Sequence, residues 1–343
     1  MSTHEEGQNK TFYQQLQNCQ ELDLRDKRGK IHDMAFVLVA LTVGLFLKRD
    51  GNLSSIHRCM VNKNRDICGF LGIDNQRVMS RAHLPVFLGK VSLPAFERLL
   101  FDNYGTGLGD GERAWFAGDG KELRGSIESG DKRGEALVQL VRHRDGAVLG
   151  QGRYSGKKES ERPCLRELVA GTGASGQKIT LDALHLCPKT TGPIAEGGGV
   201  FLVGLKGNQK ELLADMEKCS QRLKPVNQCV TVDKGHGRLE RRTYFQYDVG
   251  GEYFDGRWAK SKFKSLFKVE RRRQGTRDGR VSEEVAYYIS NGEAGDGEDY
   301  FAAIRGHWAV EVNNHVRDVT LKEDQLRTKK SLSPRCLQGL EHW

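Results

Sequence analysis

Three acidic residues stand where a carboxylate can do more than solvate a surface: Asp119, Asp182 and Glu311. Asp119, in AWFAGDGKELRGS, follows an apolar run and precedes Lys121 and Arg124. An Asp-Gly pair is a common turn dipeptide, and an acid at a strand end beside two phosphate-holding cations is the other reading. Asp182, in KITLDALHL, is flanked by Ile179, Leu181, Ala183 and Leu184, a pattern of a strand buried on both faces. A lone buried carboxylate costs several kcal/mol unless it is paired or binds a metal. An N-cap or a buried ion pair at a strand-to-helix junction would also satisfy it. Glu311 lies in DYFAAIRGHWAVEVNNHVRDV, where Phe301, Ile304, Trp308, Val312 and Val319 form an apolar stripe at helical spacing. Beside the stripe run His307, Glu311, His315 and Asp318, spaced by four, four and three residues. That comb reads either as a metal-binding face or as the polar half of an amphipathic helix.

Three carboxylates are the ligand set for two hard divalent cations, which bind the attacking and leaving oxygens of an in-line phosphoryl displacement. Such a site needs no protein nucleophile, and the chain offers no GxSxG, HExxH or isolated Cys/His signature. Glycoside hydrolysis would need only two of the acids and no basic belt. The loop Gly171 to Gly176 (GTGASG) matches GxGxxG, but it follows a helix and precedes the Asp182 strand, the reverse of a dinucleotide-binding context. Gln177 stands where a P-loop would need its Lys. The loop therefore serves backbone turning, and no nucleotide cofactor is expected.

The elements that must position these acids follow from patterning. Of the 343 residues, 54 are Lys or Arg and 45 Asp or Glu, a net charge of +9, and the pI is near 9.1. Gly256 to Arg280 alone carries ten cations and two acids, either a solvated strand face or a phosphate-contacting surface. Eight cysteines without CxxC or matching His spacing imply reduced cytosolic thiols, with neither a zinc site nor a disulfide framework. Met34 to Leu47 is too short for the roughly 20 residues a bilayer span needs, so it reads as a buried helix. Helical patterns also cover Leu53 to Phe70 and Leu93 to Phe101, and a Gly-rich linker follows at Gly105 to Gly111.

Beyond the linker the period changes. Ala114 to Ala117, Ala136 to Val141 and Ala147 to Tyr154 read as strands, the last two joined by Asp145-Gly146. A helix at Cys164 to Ala170, a strand at Lys178 to Leu184, a strand at Gly199 to Leu205 and a helix at Lys210 to Cys219 come next. A β-rich stretch from Cys229 to Asn291 precedes a last helix, Tyr300 to Val319. Hairpins first, then strands alternating with helices, predict a mixed α/β sheet with a β-rich insertion.

In motif order the chain resembles the DDE transposases of the ISAs-type, or H-repeat-associated, bacterial insertion sequences. The resemblance runs from about Leu22 to Lys329 through LRDKRGKIHDMAFVLVAL, GDGKELRGS, ITLDALH, FLVGLKGNQ, HGRLERR, YYISN and IRGHWAVEVNNHVRDVTLKED. It implies a helical N-terminal DNA-binding domain over 1–104 and an RNase H-like catalytic domain over 105–343, with a β insertion at about 227–291. Asp119, Asp182 and Glu311 fall at the family's metal-ligand positions for two Mg²⁺ ions, with Mn²⁺ able to substitute. The implied reactions are cleavage at the inverted-repeat ends of the element and joining of the 3′-hydroxyl to target DNA, by a homodimer in the DNA complex; the expected location is cytoplasmic, nucleoid-associated when bound to DNA. Lys121, Arg124, Lys206, Asn208, Gln209, His236, Arg238, Arg305 and His307 match supporting positions suited to phosphates and DNA ends. Glu240 is the rival third acid, set in the β-rich stretch. After Glu311 the family usually continues about Leu-His-Trp-x-Leu-Asp, whereas this chain has Asn314, His315, Val316, Arg317 and Asp318. The departure motivates the alternative, a catalytically decayed or domesticated DNA-binding derivative; a stand-alone RNase H-like nuclease is a third reading.

Overall fold

The computed structural model describes residues 11–26, 28, 30–48, 52–105, 113–123, 127, 134–154, 158–235, 237–252 and 254–320. They separate into two compact units. One is built from the described parts of 1–106, 122–135 and 313–343, the other from those of 107–121 and 136–312.

The described residues of the first unit are mostly helical: α1 (Phe12–Asn18), α2 (Met34–Lys48), α3 (Leu53–Leu71), α4 (Leu84–Leu88) and α5 (Leu93–Tyr104). The starts and stops have local causes. Thr11 and Gln14 form a capping box on α1, Asn52 caps α3, and proline opens α4 and α5, where its missing N–H costs nothing. Gly72 ends α3 in the left-handed region at φ 66°. The apolar run of α2 buries Phe36, Leu38 and Leu41 against Leu16, Ile56, Phe87 and Phe96. No helix among the described residues is long and apolar enough to cross a membrane.

The second unit carries a nine-stranded mixed sheet in the order β3-β2-β1-β4-β5-β9-β8-β7-β6. Its strands are β1 (Trp115–Glu122), β2 (Ala136–Arg142), β3 (Val148–Tyr154), β4 (Lys178–Leu181), β5 (Val200–Leu205), β6 (Asn227–Gly235), β7 (Arg238–Asp248), β8 (Ser265–Gly275) and β9 (Val281–Ser290). β4 runs parallel to both β1 and β5. The β2–β3 pair and the run from β5 to β6 through β9, β8 and β7 are antiparallel. The sheet class read from the sequence, mixed α/β, is the observed one. Helices α6 (Lys158–Gly171), α7 (Pro188–Glu196) and α8 (Lys210–Arg222) supply Leu165, Ile194 and Leu212 to a core with Phe116, Ile179 and Phe201. Helix α9 (Gly297–Gly306) covers the opposite side, where Tyr300 and Phe301 meet Trp115, Leu202, Tyr244 and Phe267.

Two expected boundaries are corrected. The strand ends at Leu181, because Asp182 turns its carboxylate onto the Leu184 N–H and caps a 3-10 turn, Ala183–His185. The single helix expected over Tyr300 to Val319 is broken. α9 stops at Gly306, His307 lies in a turn, α10 covers Trp308–His315, and a π turn follows at Val316–Thr320. The comb of four, four and three residues therefore does not lie along one helix.

Candidate functional site

Strand alternation decides which side chains share a face. In β1, Phe116 and Gly118 point to the α6 side, so Trp115, Ala117 and Asp119 point to the α9 side. In β4, Ile179 and Leu181 point to the α6 side, which leaves Thr180, and Asp182 just beyond the strand, on the other. The register pairs Ala117 with Thr180 and Gly118 with Leu181. Asp119 and Asp182 each follow the last pair of that register by one residue, on neighbouring backbones about 5 Å apart.

The glycines around Asp119 serve close approach, not a turn. A Cβ on Gly118 would lie 2.7 Å from a Leu181 methyl, and one on Gly120 would lie 2.5 Å from the Glu161 carboxyl carbon and 2.6 Å from the Tyr154 hydroxyl. Glu161 thus seats against Gly120 on the α6 face of β1, near enough for its charge to bear on Asp119. The Tyr154 hydroxyl donates to one Glu161 oxygen (3.0 Å), and His185 Nε2 meets the other at 3.1 Å. His185 is fully buried and its Nε2 also lies 3.9 Å from Asp182 Oδ1.

Burial pushes the Asp119 carboxyl up to about 7, with the charges of Asp182 and Glu161 raising it further against the opposing Gly120 N–H and His185. A hard cation would relieve that repulsion. Asp119 and Asp182 are oxygen donors of the right chemistry for one, while among the described residues no group of three or more His, Cys, Asp or Glu is gathered as a metal cage. Glu311 is exposed on α10 and carries no hydrogen bond or ion pair among the described residues. It lies four residues, about 6 Å of helix rise, beyond His307, whose Nδ1 is 3.0 Å from Thr180 Oγ1.

The raised Asp119 pKa gives a signed expectation. Its folded value of about 7 lies above the ordinary 3.8, so the stability from keeping it neutral is full below about 4 and lost as pH rises through about 7. Thermal melts in EDTA at pH 5 and pH 8 check this: Asp119→Asn is expected to lose several degrees less than the wild type between the two. An equal loss in both proteins would place the titration elsewhere.

The other expected positions are distributed as follows. Lys121 is buried on β1. Lys206 is exposed and precedes a 3-10 turn, Gly207–Gln209. From that turn Asn208 donates to the Ala183 carbonyl (2.6 Å) and Gln209 to the Leu186 carbonyl (2.9 Å), so both amides brace the segment after Asp182. Arg305 pairs with Asp233. Arg124 and His236 lie outside the described residues. Sequence reading missed Glu161, His185, Tyr154, Thr180 and His143.

Glu240 occupies a different setting. Its side chain is 4% exposed and faces Arg238 (3.5 Å), Arg242, Arg271 (3.5 Å) and Arg273 (3.1 Å) across β7 and β8. A carboxylate already held by four guanidinium groups is poorly placed to attract a further cation. The basic tract is likewise partnered: eight of its ten cations lie within ion-pair distance of a carboxylate, including Glu196, Glu240, Glu283, Glu284 and Glu293. Its local excess of charge along the chain is therefore largely offset in space.

Comparison with known proteins brings an independent observation. A stretch of 235 residues is 29% identical to "Putative transposase YncI" of Escherichia coli O157:H7, covering 65% of this chain and 58% of that protein. Two proteins of Escherichia coli K12 are similar over the same share of this chain. "Putative protein YbfL" is 30% identical over 233 residues and "H repeat-associated putative transposase YhhI" 28% over 232, each covered to 61% of its length. The chain thus spans about three fifths of the length of these relatives. No protein-family model matches it.

Proposed function

We propose that this chain is a DDE transposase with an RNase H-like core, cleaving DNA at the ends of its element and joining them to a target. The observation that carries the reading is the placement of Asp119 within β1 and of Asp182 just past the end of β4, each one residue beyond the register pair Gly118 and Leu181 of two parallel strands. Support comes from the strand order β3-β2-β1-β4-β5, with α6 and α7 as its crossovers. The antiparallel run β6 to β9 serves as the insertion before the helix that bears Glu311. Similarity to proteins named as transposases points the same way.

Asp119, Asp182 and Glu311 would hold divalent ions, Mg²⁺ by preference. When bound, those ions supply charge stabilisation to both oxygens of an in-line displacement at phosphorus. The residues of the chain do the rest. Asn208 and Gln209 brace the turn that aims Asp182, and His185 and Tyr154 hold Glu161 against Gly120. In the first reaction a water oxygen bonds to phosphorus as the 3′-oxygen leaves and takes up a proton. In the second, that 3′-hydroxyl loses its proton and bonds to a target phosphorus as the target strand's own 3′-oxygen leaves and takes up a proton. DNA is the partner, engaged as paired ends by two copies of the chain, with Lys206 and cations of the insertion along its backbone.

A second reading, a DNA-binding derivative without catalysis, is favoured by one observation: Glu311 is exposed and gathered into no three-acid group among the described residues. Incubating the full chain with Mg²⁺ or Mn²⁺ and duplexes carrying the terminal repeats that flank its gene separates the two. Nicked and joined products are expected. Retarded DNA with no product in either metal would leave only the second reading.

A further inference from the structure

Thr180 lies on β4 two residues before Asp182 and is 2% exposed. Its hydroxyl is within 2.9 Å of His143 Nε2, 3.0 Å of His307 Nδ1 and 3.4 Å of the Phe116 carbonyl. A hydroxyl has one proton to donate and two lone pairs. Donation to Phe116 and acceptance from both imidazoles satisfies all three contacts, with His143 protonated on Nε2 and His307 on Nδ1. Burial holds both rings below the usual histidine range, His143 at about 4, so each is neutral and carries a single N–H.

The surroundings are shaped around this hub. A Cβ on Gly306 would overlap the His143 ring, and Trp115 stacks on that ring at 6.2 Å between centroids. At the opposite end of α9, Asp299 accepts from Trp115 Nε1 (2.9 Å) and Lys178 Nζ (2.8 Å). The helix is therefore tied to β1 and β4 at its start through Asp299 and at its end through His307. The break between α9 and α10 falls where the second tie is made.

We infer that Thr180, bonded to His143 and His307, is a positioning residue that sets the register of the α10 segment carrying Glu311 against the strand leading to Asp182. This rests on the metal-dependent reading above, in which the two carboxylates share ions. The hydroxyl fixes where His307 sits, and Glu311 follows one helical turn later. Without it, two N–H groups lose their acceptor in a buried place, and the His307 turn is released.

The full-length chain tests this with Thr180→Val, which keeps the shape, and Thr180→Ser, which keeps the hydroxyl. In the valine variant, amide exchange over 307–312 is expected to accelerate about tenfold or more, as local opening becomes easier. Its Mn²⁺ affinity and end cleavage should fall roughly 10- to 100-fold, the range for losing a group that orients metal ligands. DNA retardation should be unchanged, and serine should restore each readout. Nitrogen-detected histidine spectra of the wild type should give the two tautomers named. Unchanged exchange in the valine variant, or the opposite tautomers, would overturn the hub whatever happens to activity. Faster exchange with unaltered Mn²⁺ affinity would overturn its positioning role. If the wild type neither binds Mn²⁺ nor cleaves while exchange still responds to valine, the enzymatic reading falls and, with it, the assignment of Thr180 to that chemistry.

Discussion

Asp182→Asn is expected to abolish end cleavage while leaving the fold and DNA binding intact. The side chain has two separable duties. As a cap, its Oδ1 accepts from the Leu184 N–H at 2.9 Å, and an asparagine carbonyl accepts that bond equally well. As the proposed metal ligand, it lies one residue past the last β1–β4 register pair, Gly118 with Leu181, and asparagine removes its carboxylate. Only the second duty is lost, so the 3-10 turn and the braces from Asn208 and Gln209 remain. Loss of a metal ligand removes several kcal/mol of transition-state stabilisation, and about 4 kcal/mol corresponds to roughly a thousandfold in rate. Cleavage read on denaturing gels, beside retardation of the same DNA and circular dichroism, checks all three parts. A variant that cuts at the wild-type rate would remove Asp182 from the ligand set. Alanine is the weaker test, since it also loses the cap, worth about 1 kcal/mol.

What could be read from sequence was set by how local the cause is. The β2–β3 hairpin was legible, because alternation and an Asp-Gly pair act within a few residues and Gly146 indeed adopts φ 70°. The same dipeptide at Asp119 sits inside a strand. There the glycines answer to Leu181 and Glu161, which no local pattern reveals. The apolar flanks of Asp182 marked its strand, yet its capping bond moved the strand end to Leu181.

Residues that entered the site through distant contacts were not legible. Glu161 stands in a charged run, KKESERP, ahead of the helix expected at Cys164 to Ala170. Its burial comes from Gly120, Tyr154 and His185, brought together only by the sheet. The break at His307 was missed for a similar reason. Gly306 weakens the helix locally, but what fixes the turn is a hydroxyl 127 residues earlier. The basic tract shows the converse error, since its charge was counted along the chain while the carboxylate partners of Arg271, Arg272 and Arg273 lie on neighbouring strands, at Glu240, Glu283 and Glu284.

Glu240 separates a ligand role from a structural one by the kind of damage its loss causes. Its carboxylate is 4% exposed, with Arg238, Arg242, Arg271 and Arg273 around it. Removing one partner of a buried ionic cluster leaves the others uncompensated, a cost of about 3–5 kcal/mol. Glu240→Gln is therefore expected to lower the unfolding free energy by about that amount, read from the urea midpoint at constant slope. Arg271 and Arg273 also pair with Glu284, which softens the loss for those two, whereas Arg242 retains Asp233 alone. At pH 8 and saturating Mn²⁺ the folded variant should bind the metal as the wild type does. If the midpoint stayed fixed while Mn²⁺ binding fell, Glu240 and not Glu311 would be the third ligand, and the four arginines would have to be explained as contacts that tolerate a cation between them.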